Sequence, residues 1–260
     1  MKRNFWINFL SFILGLVIVA SFFIFKTTLH AQESEPILPV LQIHPLPITL
    51  EQWQPQEQDD YFCSLVSPPI GALIWTEFPI KIYLAQPELE QNTASYQQFQ
   101  KWVSAVSTAI QEWNIYLPLN IVKEPEIANI LIKRELPPLG SSFNAETGKI
   151  EIPRARTAQT RYDLEITKTQ PPLLTHRMTI LISPRLSETS LLSAARHELG
   201  HALGIWGHSP VETDALYFSQ VRNYPSISVR DINTLKKVYQ QPTRLGWKIP
   251  DILINKGLDF

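Results

Sequence analysis

His197-Glu198-Leu199-Gly200-His201-Ala202-Leu203-Gly204-Ile205-Trp206-Gly207-His208 holds three of the six histidines in a chain of 260 residues. If its first part is a helix, His197 and His201 share one face a turn apart, where two imidazoles can grip a single metal ion. Glu198 lies beside them, able to reach a water on that ion without being a ligand itself. Gly204 stands where a helix can stop in a left-handed turn that glycine enters cheaply. Past that turn the chain can double back and offer His208 as a third nitrogen. Upstream, Ser187-Glu188-Thr189-Ser190 supplies capping side chains and an early acid for the helix start, followed by Leu191, Leu192, Ala194 and Ala195. A capped helix, a glycine break and a returning histidine are what a three-ligand zinc site with one open position requires.

The chemistry follows from that donor set. Three neutral imidazoles leave zinc a fourth position for water and lower the water's pKa towards about 7. Glu198 is expected to accept a proton as the water attacks a peptide carbonyl, then to pass it to the departing amine. The expectation is a zinc-dependent endopeptidase with one catalytic Zn2+ on His197, His201 and His208, and Glu198 as general base.

The same residues resemble the metzincin zinc endopeptidases, within them the matrixin-like branch. That motif runs H-E-x-x-H-x-x-G-x-x-H, usually with Ser after the last histidine; His197, Glu198, His201, Gly204, His208 and Ser209 look like its counterparts. Ala215-Leu216-Tyr217 resembles the family's Ala-Leu-Met-Tyr turn beneath the metal, and residues 227 to 239 resemble its closing helix. Trp113, Pro118-Leu119 and Ala128-Asn129-Ile130-Leu131-Ile132 look like its first helix end and next two strands. The resemblance covers roughly residues 71 to 240. It implies a zincin-like fold, and an edge strand beside the cleft that aligns peptide by strand addition. Segments 148–152 and 160–167 both compete for that role.

Two departures stand out. The family spaces its third ligand ten residues after the first, but here Gly207 occupies that place and His208 comes one later. Either the loop absorbs one residue, or Glu212 or Asp214 completes the site, since carboxylates also suit zinc. Leu216 sits where the family has methionine, a swap that roughly conserves volume. Tyr217 is either a neighbour of the substrate cleft or an amphipathic wall residue.

The chain start bears on compartment. Lys2 and Arg3 precede an uncharged apolar run over residues 5–25, closed by Lys26. A short positive region before an apolar stretch is an export signal, and this one is also just long enough to span a bilayer. Residues 1–31 are therefore a cleaved signal, cut after Ala31, or a retained anchor. Both place the remainder outside the cytoplasm. Residues 32–70, rich in Pro and Gln, are expected as an extended stalk, with Trp53 and Tyr61-Phe62-Cys63 lying against the following domain. One cysteine cannot form an internal disulfide. Cys63 is expected as a partly buried free thiol, the alternative being a latency thiol that blocks zinc.

Residues 71–240 suit one domain with a real core. Residues 78–84 read as a strand, and Tyr96, Phe99, Trp102, Val103, Val106, Ile110 and Trp113 as an amphipathic helix. Segments 117–122 and 127–132 read as the next strands. Residues 149–152 and 162–167 suggest a hairpin or lid, and 177–182 a buried strand leading to the zinc helix. Strand, helix, strand, strand order predicts an α+β, α/β-like sandwich with a mixed, twisted sheet and two or three long helices. Residues 241–260 read as a tail able to wrap back through Trp247, Ile249 and Ile252.

A net charge of −1 gives nucleic acid no footprint. The expected partner is a peptide or protein substrate, with the membrane a second through residues 5–25, and the protein is expected as a monomer. Ca2+ is possible but has no readable motif. The irregular ligand spacing and missing methionine also leave open a catalytically silent zinc-binding adaptor of the same fold. A further alternative is a narrow-specificity peptidase whose 140–175 segment covers the cleft.

Overall fold

A computed structural model describes residues 38–250 except 56, 88–92, 140–141, 145–148, 152–155, 220 and 222–223. Its centre is β7 (Leu174–Ile182), in which every residue from Met178 to Ile182 is buried. A run so continuously apolar suits a strand covered on both faces. On one side it pairs in parallel with β3 (Ile130–Lys133), register Ile132 to Ile180. Next come β1 (Ile80–Leu84) and the far edge β2 (Leu119–Val122), both parallel. On its other side β7 pairs antiparallel with β6 (Ala158–Ile166) through all nine residues, Thr160 facing Ile180. The order β2-β1-β3-β7-β6 is a five-stranded mixed sheet, and the class is α+β. β4 (Ser142–Asn144) and β5 (Lys149–Glu151) form a separate antiparallel pair.

The parallel pairing of β1 and β2 needs a crossover, and α2 (Ala94–Trp113) supplies it. Thr93 caps its start by accepting from the Tyr96 amide. Trp102, Ala105, Val106, Ala109, Ile110 and Trp113 form its buried stripe at helical spacing. That stripe meets α3 (Glu188–Ala202), the helix that carries the histidine pair. Arg196 of α3 grips both carboxylate oxygens of Glu112 at 2.6 and 2.7 Å. The indole of Trp113 donates to the Arg196 carbonyl at 3.0 Å. α4 (Val229–Tyr239) opens with a capping box between Ser228 and Asp231.

Three sequence expectations need correction. Residues 162–167 and 149–152 do not form a hairpin: residues 162–166 belong to β6 and close the sheet beside α3, and residues 149–151 pair with β4. The extended stalk expected over residues 32–70 is not one from Leu38 on, where the chain belongs to the same compact unit as the domain, with Trp53 and Tyr61 lying against it as expected. Within that segment α1 (Ile48–Gln52) buries Leu50 completely, and the Trp53 indole donates to Asn233 at 3.0 Å. The Tyr61 hydroxyl donates to Asp231 at 2.6 Å. Proline-rich composition forbids long helices here but not docking. Cys63 is exposed, not partly buried.

The segment after Gln241 wraps back as expected. Thr243 bridges to Gln42 and Gly71, Lys248 bridges to Leu173, and Leu245 and Ile249 are buried. Ile252 lies outside the described residues. So do residues 5–25, expected as signal or anchor; among the described residues no helix is long and apolar enough to cross a membrane.

Candidate metal centre

α3 begins where the sequence places it, with the Ser187 side chain accepting from the Ser190 amide. It ends in the Gly204 turn, at φ +130. Its register brings His197 and His201 together, ring centroids 4.6 Å apart and ring planes at 89°. The chain then folds back so that His208 lies 5.2 Å from His197 and 4.9 Å from His201, centroid to centroid. One nitrogen from each ring falls within 4.8 Å of the others. Among the described residues, these three histidines are the one group of three or more His, Cys, Asp or Glu side chains so arranged.

Hydrogen bonding fixes the tautomers of the helical pair. His197 Nδ1 lies 2.9 Å from the Ala215 carbonyl, and His201 Nδ1 lies 2.8 Å from the Ile205 carbonyl. A carbonyl only accepts, so each Nδ1 carries the hydrogen and each Nε2 is left with a bare lone pair. Burial, and for His197 also the neighbouring His201 ring, pushes both pKa values down to about 4, so both rings are neutral at pH 7. The two Nε2 atoms face each other at 3.1 Å. Lone pairs at that range repel unless a cation lies between them. Ligands about 2.0–2.1 Å from a tetrahedral zinc stand roughly 3.3 Å apart, so the helical pair fits the ion, and a nitrogen of the exposed His208 lies within 4.8 Å of both.

Nearby side chains sort the alternatives. Asp214, a competitor for third ligand, is fully buried and accepts from Ser209 Oγ at 2.5 Å, Ser228 Oγ at 2.7 Å and Arg230 Nε at 3.0 Å. Its carboxylate is committed to the loop. Glu212 is exposed and is not in the cluster. Cys63 is not in it either. Leu216 is fully buried under the helix turn between the two ligands; a Cβ on Gly200 would come within 2.5 Å of its Cδ2. The space methionine was expected to fill is filled.

Glu198 is 7 % exposed, beside the pair. Thr160 of β6 donates its hydroxyl to Glu198 Oε2 at 2.6 Å. Burial raises the carboxyl's pKa, while His197, the Thr160 hydrogen bond and Arg156 pull it back. A cavity of about 160 Å³ opens beside His197 and Glu198, walled by Ala158, Ser190, Ala194, Tyr217 and Tyr224. Tyr217 is therefore a cavity neighbour.

Sequence reasoning missed Thr160, Trp206 and Asp231. Thr160 sits in an ordinary strand pattern with no signal of its role. Trp206 stands 6.1 Å from His201 and 5.3 Å from Tyr162, centroid to centroid. Asp231 accepts from Tyr61, from the Ala215 amide at 2.9 Å and from the Ser228 amide at 2.8 Å. It thus braces the turn whose carbonyl holds His197; its only sequence signal was its place at the start of a helix. No protein-family model matches the chain, and no curated protein does.

Proposed function

We propose that this protein is a zinc-dependent metalloendopeptidase similar to the matrixin-like metzincins, exported or held at a membrane by residues 5–25. One observation carries the reading: two half-buried, neutral imidazoles turn unprotonated Nε2 atoms towards each other at 3.1 Å, with a third, exposed imidazole and a buried carboxylate alongside. His197, His201 and His208 would hold the metal, which when bound polarises a peptide carbonyl and acidifies a water.

The chain's own residues do the rest. The Ala215 and Ile205 carbonyls keep both helical rings in the ligating tautomer. Glu198, on the cavity wall beside His197, would take a proton from the attacking water and deliver it to the leaving amine nitrogen. Its raised pKa suits a group that must hold that proton between steps. Thr160 fixes which carboxylate oxygen is turned away. Of the two segments that competed to align substrate, 160–167 is favoured, because β6 is the sheet edge and its first residue borders the cavity at the histidines. Segment 149–151 is paired with β4 instead.

The test is zinc content before and after chelation, with peptide-library hydrolysis by wild type and Glu198→Ala. One chelatable zinc, hydrolysis that it restores, and its loss in Glu198→Ala are expected. Zinc binding without cleavage of any peptide would turn the reading to a silent adaptor. Absence of zinc binding would end it.

A further inference from the structure

We infer that residues 64–66, well upstream of the histidine helix, are part of the metal centre: a backbone strap that positions the enlarged loop carrying His208. The inference rests on the metal reading above. That loop has one residue more than the spacing of the family it resembles, and the surplus falls at Gly207. Its two ends are secured from within the site. The Ile205 amide donates to the Gly200 carbonyl at 3.0 Å, and the Ser209 amide donates to the Leu216 carbonyl at 2.8 Å.

The middle is secured from outside. The Val66 amide donates to the Trp206 carbonyl at 2.9 Å, and Leu65 forms an antiparallel bridge with Gly207. Contact is so close that a Cβ on Gly207 would lie 2.9 Å from Leu65 Cα and 3.1 Å from the Ser64 carbonyl oxygen. Gly207 sits at φ +156, which side-chain-bearing residues rarely adopt. Glycine is thus required twice, for conformation and for clearance.

The strap is itself anchored. The Ser64 and Leu65 amides donate to the Tyr61 and Phe62 carbonyls at 2.9 and 3.1 Å. The Tyr61 amide and hydroxyl are bonded to Thr234 and Asp231 of α4. A rigid chain of contacts therefore runs from α4 through residues 61–66 to the peptide just before His208. Val66 and Gly207 are positioning residues; neither touches the ion.

The experiment uses the full chain, stripped of metal and reloaded with Co2+ or titrated with Zn2+ against a chromophoric chelator. Wild type is expected to give the visible absorption of four-coordinate Co2+. Val66→Pro deletes the amide donor, and the preceding Leu65, already extended at ψ 153, is in the conformation that a following proline requires. It is expected to weaken Zn2+ binding roughly tenfold to a hundredfold, as loss of an outer support does, and to change the Co2+ spectrum. Val66→Ala, which keeps the amide, restores both. Gly207→Ala presses on the same contact from the other side and gives the same change if Val66→Pro does not fold. In wild type the Val66 amide is expected to be protected from hydrogen exchange. Wild-type affinity and spectrum in folded Val66→Pro or Gly207→Ala, or unprotected exchange at Val66, would overturn the strap and leave the metal reading standing. No Co2+ spectrum in wild type overturns both.

Discussion

Two halves of one site are built by opposite means. His197 and His201 are set by helical periodicity, on a helix capped by Ser187 and clamped to α2 by Arg196 and Glu112. His208 is set by a loop with almost no repeating structure. Its shape depends on Gly204, Gly207, the buried Asp214 and a distant backbone segment. A helix carries its own geometry wherever it goes, whereas a loop takes its geometry from what surrounds it. The first half is therefore robust and local, the second conditional on contacts made across the chain.

The largest expected effect lies in the helical half. Glu198→Ala should lower peptide hydrolysis by about 10²–10⁴-fold with zinc stoichiometry unchanged, read by steady-state kinetics and metal analysis. Full activity would show the base to be elsewhere. In the loop half, Asp214→Ala leaves the Ser209 and Ser228 hydroxyls without their acceptor around a buried void, while Arg230 keeps its ion pair with Asp59. It should cost about 1–3 kcal/mol in urea unfolding; a loss below about 0.5 kcal/mol would mean the loop is not organised by this carboxylate.

The contrast is sharpened by comparing His201→Ala with His208→Ala. The latter leaves the prealigned helical pair intact, whereas the former leaves one helical and one loop ligand. Both should exceed the hundredfold loss known for outer supports, with His201→Ala the weaker binder. Equal affinities would erase the distinction between the halves.

Acid should destabilise the helical half. In the metal-free protein, the folded pKa values of His197 and His201, about 4, lie below the unfolded value near 6.5. The unfolded chain then binds more protons between those values, so stability is full above pH 6.5 and falls as pH drops towards 4. Denaturant midpoints across that window check the sign, and a flat profile refutes it. The smallest effect is expected from Thr160→Val. It removes one hydrogen bond to Glu198, worth about 1 kcal/mol, and should reduce kcat several-fold without altering zinc content.

The same division governs what could be read from sequence. The histidine-bearing α3, α2 and β1, β3 and β7 follow from periodicity and apolar runs, and their observed limits differ from expectation by a few residues. Segment 162–167 reads as a hairpin or lid because half-exposed strands look alike whether they close a sheet or cover a cleft, and it falls largely in β6. Residues 32–70 read as a stalk because the order of their described part comes from Tyr61, Trp53 and backbone groups meeting α4, partners more than a hundred residues away. His208 was legible as a ligand type, but the support for its position was not, because Val66 acts through a backbone amide that any residue except proline would offer.

The seam between Gln42, Gly71 and Thr243, together with the bridge from Leu173 to Lys248, stitches the beginning of the folded unit to its end. A chain emerging amino-terminus first must hold Leu38, Leu46 and Ile70 without their final neighbours until Leu245 and Ile249 have been made. Closure of the core therefore waits for Leu245 and Ile249, and any exposure to proteases before that moment meets an open molecule.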